Sequence, residues 1–422
     1  MKKLLHFTIL LISTFVFSQE NWNYLPIEIT NNYHGAIYTI DENIVHVVSD
    51  DGVFYKTENG GETWTQFDSS AQEFFFDLAF DGLNNGYAVG GNGNILKTGN
   101  GGETWNTINS GTTEALVSVA VNAQNSIWVV GDNGTVLHSI DGGNSWTSNN
   151  TLTIENLNDV KFKDESIGYI VGDNGTLLYT ENAGNNWEEL AIPAADDLSA
   201  LSINGDFIYL LSGYANSFFS DYGFSGIEIY KSNNNVTWAH SPIDDFLSGA
   251  SDLYFLNDDL GYMVASDALL CDCCYVYIDK TIDSGVTWTD SYYEETNAAN
   301  CNANVGYADI IFPSEDVGYV LLGSRVLKTP YETAGVEDFN KSGVFTIYPN
   351  PTVNSKFNLQ IDISDFEGIS IEILDINGKR IFTETSLKKN NSISLPNISE
   401  GIYFINLLKN RNIVGNHKLI LR

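Results

Sequence analysis

Between residues 30 and 330 the chain repeats one hydrophobic pattern. An apolar run is followed by a second with its own signature: Gly86-Tyr87-Ala88-Val89-Gly90, Ile127-Trp128-Val129-Val130-Gly131, Gly168-Tyr169-Ile170-Val171-Gly172, Gly261-Tyr262-Met263-Val264 and Gly318-Tyr319-Val320-Leu321. A third run leads into a polar phrase that ends on Trp, as in Thr57-Glu58-Asn59-Gly60-Gly61-Glu62-Thr63-Trp64 and Thr281-Ile282-Asp283-Ser284-Gly285-Val286-Thr287-Trp288. These tryptophans stand at 64, 105, 146, 187, 238 and 288, spaced by 41, 41, 41, 51 and 50 residues. Short runs of β-branched and aromatic residues bounded by Gly and Asn predict strands. Four strands in a period of about 40 residues predict a propeller blade. Six such units end in Trp. A seventh, Ala308–Phe312, Gly318–Gly323 and Val326–Thr329, lacks its Trp strand, and Trp22-Asn23-Tyr24-Leu25 stands 42 residues before Trp64 to supply it. The expected fold is therefore all-β: a seven-bladed β-propeller over residues 19–332, closed by its N-terminal strand, which leaves no open sheet edge at the seam.

Each polar phrase reads as a turn. Its Asn or Asp is expected to bond the backbone two residues on, and Gly accepts a positive φ. The turn is expected to deliver its Trp onto a strand facing the next blade. The fifth copy, Ser232 to Trp238, is one residue shorter and has Asn235 where the others have Gly.

The two ends differ from this middle. Met1-Lys2-Lys3 and the apolar run Leu4 to Phe17 predict a signal peptide over residues 1–18. The run is shorter than the ~20 apolar residues a spanning helix needs, and no transmembrane segment is expected in the mature chain. After a linker at 333–342, residues 343–422 alternate in short β runs such as Ile369-Ser370-Ile371-Glu372-Ile373-Leu374, with turn signals at Asn377-Gly378 and Glu400-Gly401, and predict a small Ig-like β-sandwich.

In this tail Tyr348-Pro349-Asn350-Pro351, then Leu374-Asp375-Ile376-Asn377-Gly378-Lys379-Arg380, then Leu395 to Gly401-Ile402-Tyr403 and a basic-apolar ending follow in order. The tail resembles the type A C-terminal sorting domain of type IX secretion cargo in Bacteroidota. The resemblance implies the type IX secretion machinery as a partner, and export through the periplasm to the outer surface or the medium. The polar phrases resemble the Asp-box of bacterial neuraminidase repeats. Together with Gly-Tyr-x-Val-Gly they are similar to photosystem II assembly-factor-like propellers, a likeness that speaks to fold more than to function.

Charge narrows the partners. Residues 19–340 hold 47 acidic and 8 basic residues, whereas residues 341–422 hold 7 acidic and 10 basic. The acidic part lacks the basic footprint of a nucleic-acid binder, and nucleic acid is not an expected partner. Most of this charge reads as a solvated surface, and no Asp-x-Asp-x-Asp-Gly calcium loop occurs. A sialidase grips its substrate's carboxylate with three arginines, but of Arg325, Arg380, Arg411 and Arg422 only Arg325 falls in the propeller. With no P-loop, His-Glu-x-x-His or Gly-x-Ser-x-Gly motif either, no catalytic residue, cofactor or metal is expected. Alternatives are a glycosidase using two carboxylates and an assembly-factor-like scaffold.

Departures from the period mark the candidate site. Blades five and six gain length at Gly213 to Gly226, at Asp267 to Tyr275 and in the connection Ser291 to Val305. Second-to-third-strand loops and blade-to-blade connections emerge on one face, so these segments are expected to form a wall there. Its aromatics, Tyr214, Phe218, Phe219, Tyr222, Phe224, Tyr292 and Tyr293, are the expected contacts for a glycan or a protein ligand. Cys271, Cys273, Cys274 and Cys301 lie in the same segments. In an exported chain they are expected to form disulfides of undetermined pairing. Four thiolates can also hold zinc, but beyond Cys271-Asp272-Cys273-Cys274 only Cys301 remains, so the usual Cys-x-x-Cys pair does not occur on both sides.

Overall fold

The Gly-bounded apolar runs form antiparallel strands. The computed structural model describes residues 22–29, 35–49, 51–69, 71, 74–123, 125–149, 153–193, 196–212, 227–243, 249–267, 273–297 and 308–329, and in the tail 345–348, 350, 352, 356–361, 366, 369–374, 380–385, 387–395, 401–409 and 412–421. The expected signal peptide lies outside the described residues. The chain divides into two units, Met1–Pro330 and Tyr331–Arg422.

The first unit opens with β1 (Asn23–Tyr24). Sheet one is β2 (Gly35–Thr39), β3 (Val45–Ser49), β4 (Val53–Thr57) and β5 (Thr65–Asp68). Sheet two is β6 (Phe75–Asp81), β7 (Asn85–Gly90), β8 (Asn94–Thr98) and β9 (Asn106–Asn109). Sheet three is β10 (Leu116–Ala123), β11 (Ser126–Gly131), β12 (Thr135–Ser139) and β13 (Thr147–Ser148). Sheet four is β14 (Leu157–Phe162), β15 (Gly168–Gly172), β16 (Thr176–Thr180) and β17 (Glu188–Glu189). Sheet five is β18 (Leu198–Asn204), β19 (Phe207–Ser212), β20 (Ile227–Ser232) and β21 (Ala239–Ile243). Sheet six is β22 (Gly249–Phe255), β23 (Gly261–Asp267), β24 (Cys273–Thr281) and β25 (Thr289–Asn297). Sheet seven joins β26 (Ala308–Ile311), β27 (Tyr319–Leu322) and β28 (Arg325–Lys328) to β1, which pairs Asn23 with Lys328 and Tyr24 with Leu327. The first strands β2, β6, β10, β14, β18, β22 and β26 touch in that order, and β26 touches β2. This is the succession of sheets of a β-propeller.

The apolar content sits between sheets. Each neighbouring pair encloses a core, and each core holds one Trp at or just before the outer strand of its later sheet. Trp105 of sheet two stacks on Phe54 of sheet one at 4.1 Å and meets Phe80 edge-on at 6.0 Å. Trp187 of sheet four meets Trp128 of sheet three at 5.6 Å. Trp22 meets Tyr262 of sheet six and Phe312 edge-on. The indoles thus face the preceding sheet, not the next one as the sequence suggested. The turn hands the chain back along its own sheet, and the ring lands over the neighbour already laid down. Gly86, second in β7, is glycine because an aromatic lies over it: a Cβ there would stand 2.6 Å from the Phe80 ring. Gly168, Gly261 and Gly318 carry Phe162, Phe255 and Phe312 in the same way.

The second unit contains β29 (Phe345–Tyr348), β30 (Lys356–Ile361), β31 (Ile369–Leu374), β32 (Arg380–Glu384), β33 (Asn390–Ser394), β34 (Gly401–Lys409) and β35 (Asn412–Leu421). They form sheets ordered β29-β30-β33 and β32-β31-β34-β35. Alternate residues of β29, β30 and β31 are buried, the period-two pattern of sheets with one face on a core. Phe357, Leu359, Ile371, Ile405 and Leu419 are among the residues of that core.

Candidate functional site

The polar phrases are turns locked by side chains. In the first, the Asn59 and Gly61 N–H groups donate to the Thr57 hydroxyl, Thr63 N–H donates to Asn59 Oδ1 at 3.0 Å, and Trp64 Nε1 donates to Gly61 O. Thr98/Asn100, Ser139/Asp141, Thr180/Asn182 and Thr281/Asp283 repeat the hydroxyl and Asn/Asp bonds; the indole bond recurs at Trp105 and Trp288, whereas Nε1 of Trp146, Trp187 and Trp238 is buried without a hydrogen-bond partner among the described residues. The Asn or Asp therefore reaches four residues on, rather than the expected two. The paired positive-φ residues, Gly60 and Gly61 in the first copy, widen the turn. In the shorter fifth copy, Asn234 Oδ1 does accept from Val236 N–H two residues on, and also from Thr237. The Ser/Thr hydroxyl at the start of each phrase and the Asn or Asp two residues on are engaged within their own turns, so the phrases act as fold devices.

Polar side chains on the first strands of sheets two, three, four, six and seven each reach the first strand of the next sheet. Asp77 Oδ2 accepts from Val119 N–H at 2.8 Å and from the Ser118 hydroxyl at 2.9 Å. Asp159 Oδ2 accepts from Leu201 N–H at 3.0 Å, Asp252 Oδ2 from Ile310 N–H at 3.1 Å, and Asp309 Oδ2 from Ile37 N–H at 3.0 Å. The last of these runs from sheet seven to sheet one. In sheets two, three, four and six a β-bulge precedes the Asp or Ser and re-aims its side chain along the inner wall. Lys161 lies 3.3 Å from Asp159 and donates to Leu201 O at 2.7 Å. Burial alone would lower its ammonium, but Asp159, Asp252 and Asp309 more than offset that and hold it above its ordinary value. Burial pushes the Asp77 carboxyl up to about 7 and that of Asp309 up to about 6, against the backbone hydrogen bonds that lower both.

The sequence reading missed these links. Its signal was present: positions 77, 118 and 159 repeat at the same 41-residue interval as the tryptophans and carry Asp, Ser and Asp. A polar residue fixed within an apolar strand pattern marked the place.

A second tier ties the sheets at their other end. Tyr319 Oη donates to Glu42 O, Tyr209 Oη to Asp258 O, Lys97 Nζ to Gly142 O and Lys328 Nζ to Gly60 O. Each donor belongs to one sheet and its backbone acceptor to the next, with sheet seven again reaching sheet one.

The expected aromatic wall is only partly described. Tyr214, Phe218, Phe219, Tyr222 and Phe224 lie outside the described residues, as do Cys271 and Cys301. Of Cys273, Cys274 and Tyr293 the backbone alone is described. Where sheet six is described, its extra length is strand and not loop. Cys273 to Tyr275 belong to β24 and Ser291 to Asn297 to β25, with Tyr275 opposite Glu295 and Tyr277 opposite Tyr293. Alternating Tyr, Val and Ile on β24 favour a strand. Tyr292 is half-buried, packs on the core between sheets six and seven, and shares a 2.6 Å hydrogen bond with Tyr24.

The extension lies at one end. Strands β8 and β24 both stop at the Thr that opens the turn, Thr98 and Thr281, and β9 and β25 both start directly after Trp. Yet β8 and β9 hold 5 and 4 residues, whereas β24 and β25 hold 9 each. The surplus of four or five residues projects away from the turns by about 13 Å at ~3.3 Å per residue.

In the tail, Tyr348 is about half exposed. Asn350 Nδ2 donates to Lys418 O at 2.6 Å, and its Oδ1 accepts from Ile420 N–H at 2.9 Å. The Tyr-Pro-Asn-Pro motif thus holds the last strand through Asn350. Gly401 opens β34, while Pro349, Pro351 and Gly378 lie outside the described residues. Among the described residues no helix is long and apolar enough to cross a membrane.

Comparison with known proteins places these features. Residues 64–152 and 148–215 match the model for photosynthesis system II assembly factor YCF48. Residues 346–422 match the secretion system C-terminal sorting domain. No curated protein matches the chain significantly. Among solved structures, YCF48 from Cyanidioschyzon merolae is 18% identical with a TM-score of 0.53, covering 74% of this chain and 98% of that one. A streptogramin B lyase is 13% identical with a TM-score of 0.56, covering 73% and 96%. An ancestral GH74 enzyme is 14% identical with a TM-score of 0.52, covering 94% and 63%. At these identities the likeness is one of fold, and propellers of this kind serve both enzymes and non-enzymes. The chain joins a β-propeller bearing repeats of the YCF48 assembly-factor type to a type IX C-terminal sorting domain, the mark of an exported protein.

Proposed function

We propose that this chain is a non-catalytic recognition protein, carried by the type IX machinery to the outer cell surface or the medium. In this reading residues 1–18 are the signal peptide, 19–332 a seven-bladed propeller, 333–342 a linker and 343–422 an Ig-like sorting domain. The seven four-stranded sheets, the pairing of β1 with β28 and the contacts from sheet seven to sheet one support a closed ring. The bonds of Asn350 to the last strand support a tail folded around its C-terminus.

The observation that carries the reading is the one-sided growth of sheet six, whose outer hairpin is longer than those of the other described sheets. Extra chain at one end of a rigid scaffold costs ordering entropy and suits recognition. The ligand, a glycan or a protein, would meet Tyr214, Phe218, Phe219, Tyr222 and Phe224 on the long connection of sheet five, and Tyr292 and Tyr293 on sheet six. The four cysteines would brace the same end through disulfides. Binding without chemistry is supported by the axial carboxylates, each of which is engaged by a backbone N–H of the next strand.

A glycan array and a pull-down from cell surface and medium, run with Tyr214→Ala, Phe219→Ala and Tyr222→Ala, test the proposal. Loss of capture with an unchanged melt is expected. A lowered melt would make these aromatics packing residues. Turnover on a glycan panel, abolished by one carboxylate substitution, would replace the reading with an enzyme.

A further inference from the structure

We propose that the outer edge of sheet six is a strand-addition site for an extended basic segment of a partner polypeptide. The inference rests on the recognition reading above and names the chemistry of its partner.

Every sheet of a propeller ends in an outer strand with one unpaired backbone edge. Such an edge invites another strand unless it is short, broken or blunted. In sheets one to four the outer strands span 4, 4, 2 and 2 residues, and β1 in sheet seven spans 2. Strand β21 in sheet five spans 5 residues but includes Pro242, which has no N–H to offer. Strand β25 departs from all of these. It runs 9 residues, Thr-Asp-Ser-Tyr-Tyr-Glu-Glu-Thr-Asn, without Pro or Gly. Its register break falls near the start, between Ile278 and Asp279 on the partner strand, leaving Tyr292 to Asn297 in unbroken pairing with β24. Among the described residues no strand pairs with its other side.

The composition of the edge selects the occupant. Strand β25 carries Asp290, Glu294 and Glu295 and no Lys or Arg. Charged side chains, Lys above all, guard edges against stray strands; here the charges are carboxylates, which repel acidic strands and leave basic ones admissible. A segment alternating Lys or Arg with β-branched residues would pair its backbone along Tyr293 to Asn297 and bring its cations to the face of the strand that holds one of the two glutamates. Backbone pairing would supply affinity, and the charges selectivity and association rate.

The test titrates the full chain with a labelled alternating lysine–valine peptide, its glutamate–valine counterpart, and the lysine peptide N-methylated at alternate residues. Anisotropy reads binding, and hydrogen exchange on the wild type reads where amides become protected. The expected result is binding of the lysine peptide alone, with new protection confined to sheet six. The double variant Glu294→Lys, Glu295→Lys, checked for an unchanged melt, should weaken that binding by about tenfold or more and admit the glutamate peptide. Equal binding of the N-methylated peptide, protection elsewhere, or no lysine-peptide binding overturns the inference. If peptides fail while a glycan or folded protein is captured through Tyr214, the inference falls and the recognition reading stands. If the lysine peptide protects β25 while the aromatic substitutions affect no capture, the inference stands and the aromatic contacts of that reading fall.

Discussion

Asp309 closes the seam by accepting the N–H of Ile37 across the junction of sheet seven with sheet one. Asp309→Ala leaves that N–H without its acceptor, a loss of about 1–3 kcal/mol. A melt of the full chain should fall by about 2–4 °C for each of those kcal/mol. The axial carboxyls also set a pH response. Asp77 and Asp309 are held above the ordinary 3.8, at about 7 and about 6, chiefly by burial. Over that interval the folded chain keeps protons that the unfolded chain has released. Their stabilisation is therefore full below about pH 4 and is lost as pH rises through about 6 and then about 7. The opposite sign belongs to turn residues such as Asp141, whose carboxylate is lowered to about 2 by the Ser145 and Ser139 hydrogen bonds; its contribution is lost as pH falls through that value. Melts taken from about pH 5 to about pH 8 should decline, and Asp77→Asn should flatten the slope. An unchanged slope would show that Asp77 is ionised throughout.

At the scale of elements, each inter-sheet core depends on an indole at its outer strand, joined by Trp128 in the core between sheets three and four. Trp105→Ala removes the ring stacked on Phe54, and Trp22→Ala the one between Tyr262 and Phe312. Each should cost about 3–5 kcal/mol. Removal of residues 19–30, and with them β1, should lower the melt at least as far as Trp22→Ala does; an unchanged melt would exclude β1 from the closure of sheet seven. The period, the strands and the turns were legible because Trp, Gly and Thr recur at fixed spacing, and each is required by a local constraint. The axial links were harder to read because one Asp in a strand resembles any solvated acid until neighbouring first strands are laid side by side. The direction of the indoles was misread because sequence order does not reveal which neighbour a side chain covers. The growth of sheet six was read as loop because Tyr, Ser and Glu suit exposed connections as well as edge strands. Only the pairing of Tyr275 with Glu295 and Tyr277 with Tyr293 settles which.

For the whole molecule, charge and architecture point outward. A propeller segment with 47 acidic and 8 basic residues should bind basic partners in a salt-dependent way. Deletion of residues 343–422 should retain the protein in the periplasm while leaving the propeller's melt in place, which fractionation and calorimetry would check. The ties between sheets carry a further consequence. Asp77, Asp159, Asp252, Asp309, Tyr209, Tyr319, Lys97 and Lys328 all reach forward, and what receives them is peptide backbone. Main chain is the same whatever the side chains are, so a module need not recognise the identity of its successor. A copied unit spliced into the array would find a receptive neighbour on both flanks without compensating substitutions, and gene duplication could lengthen or shorten such a protein in whole steps.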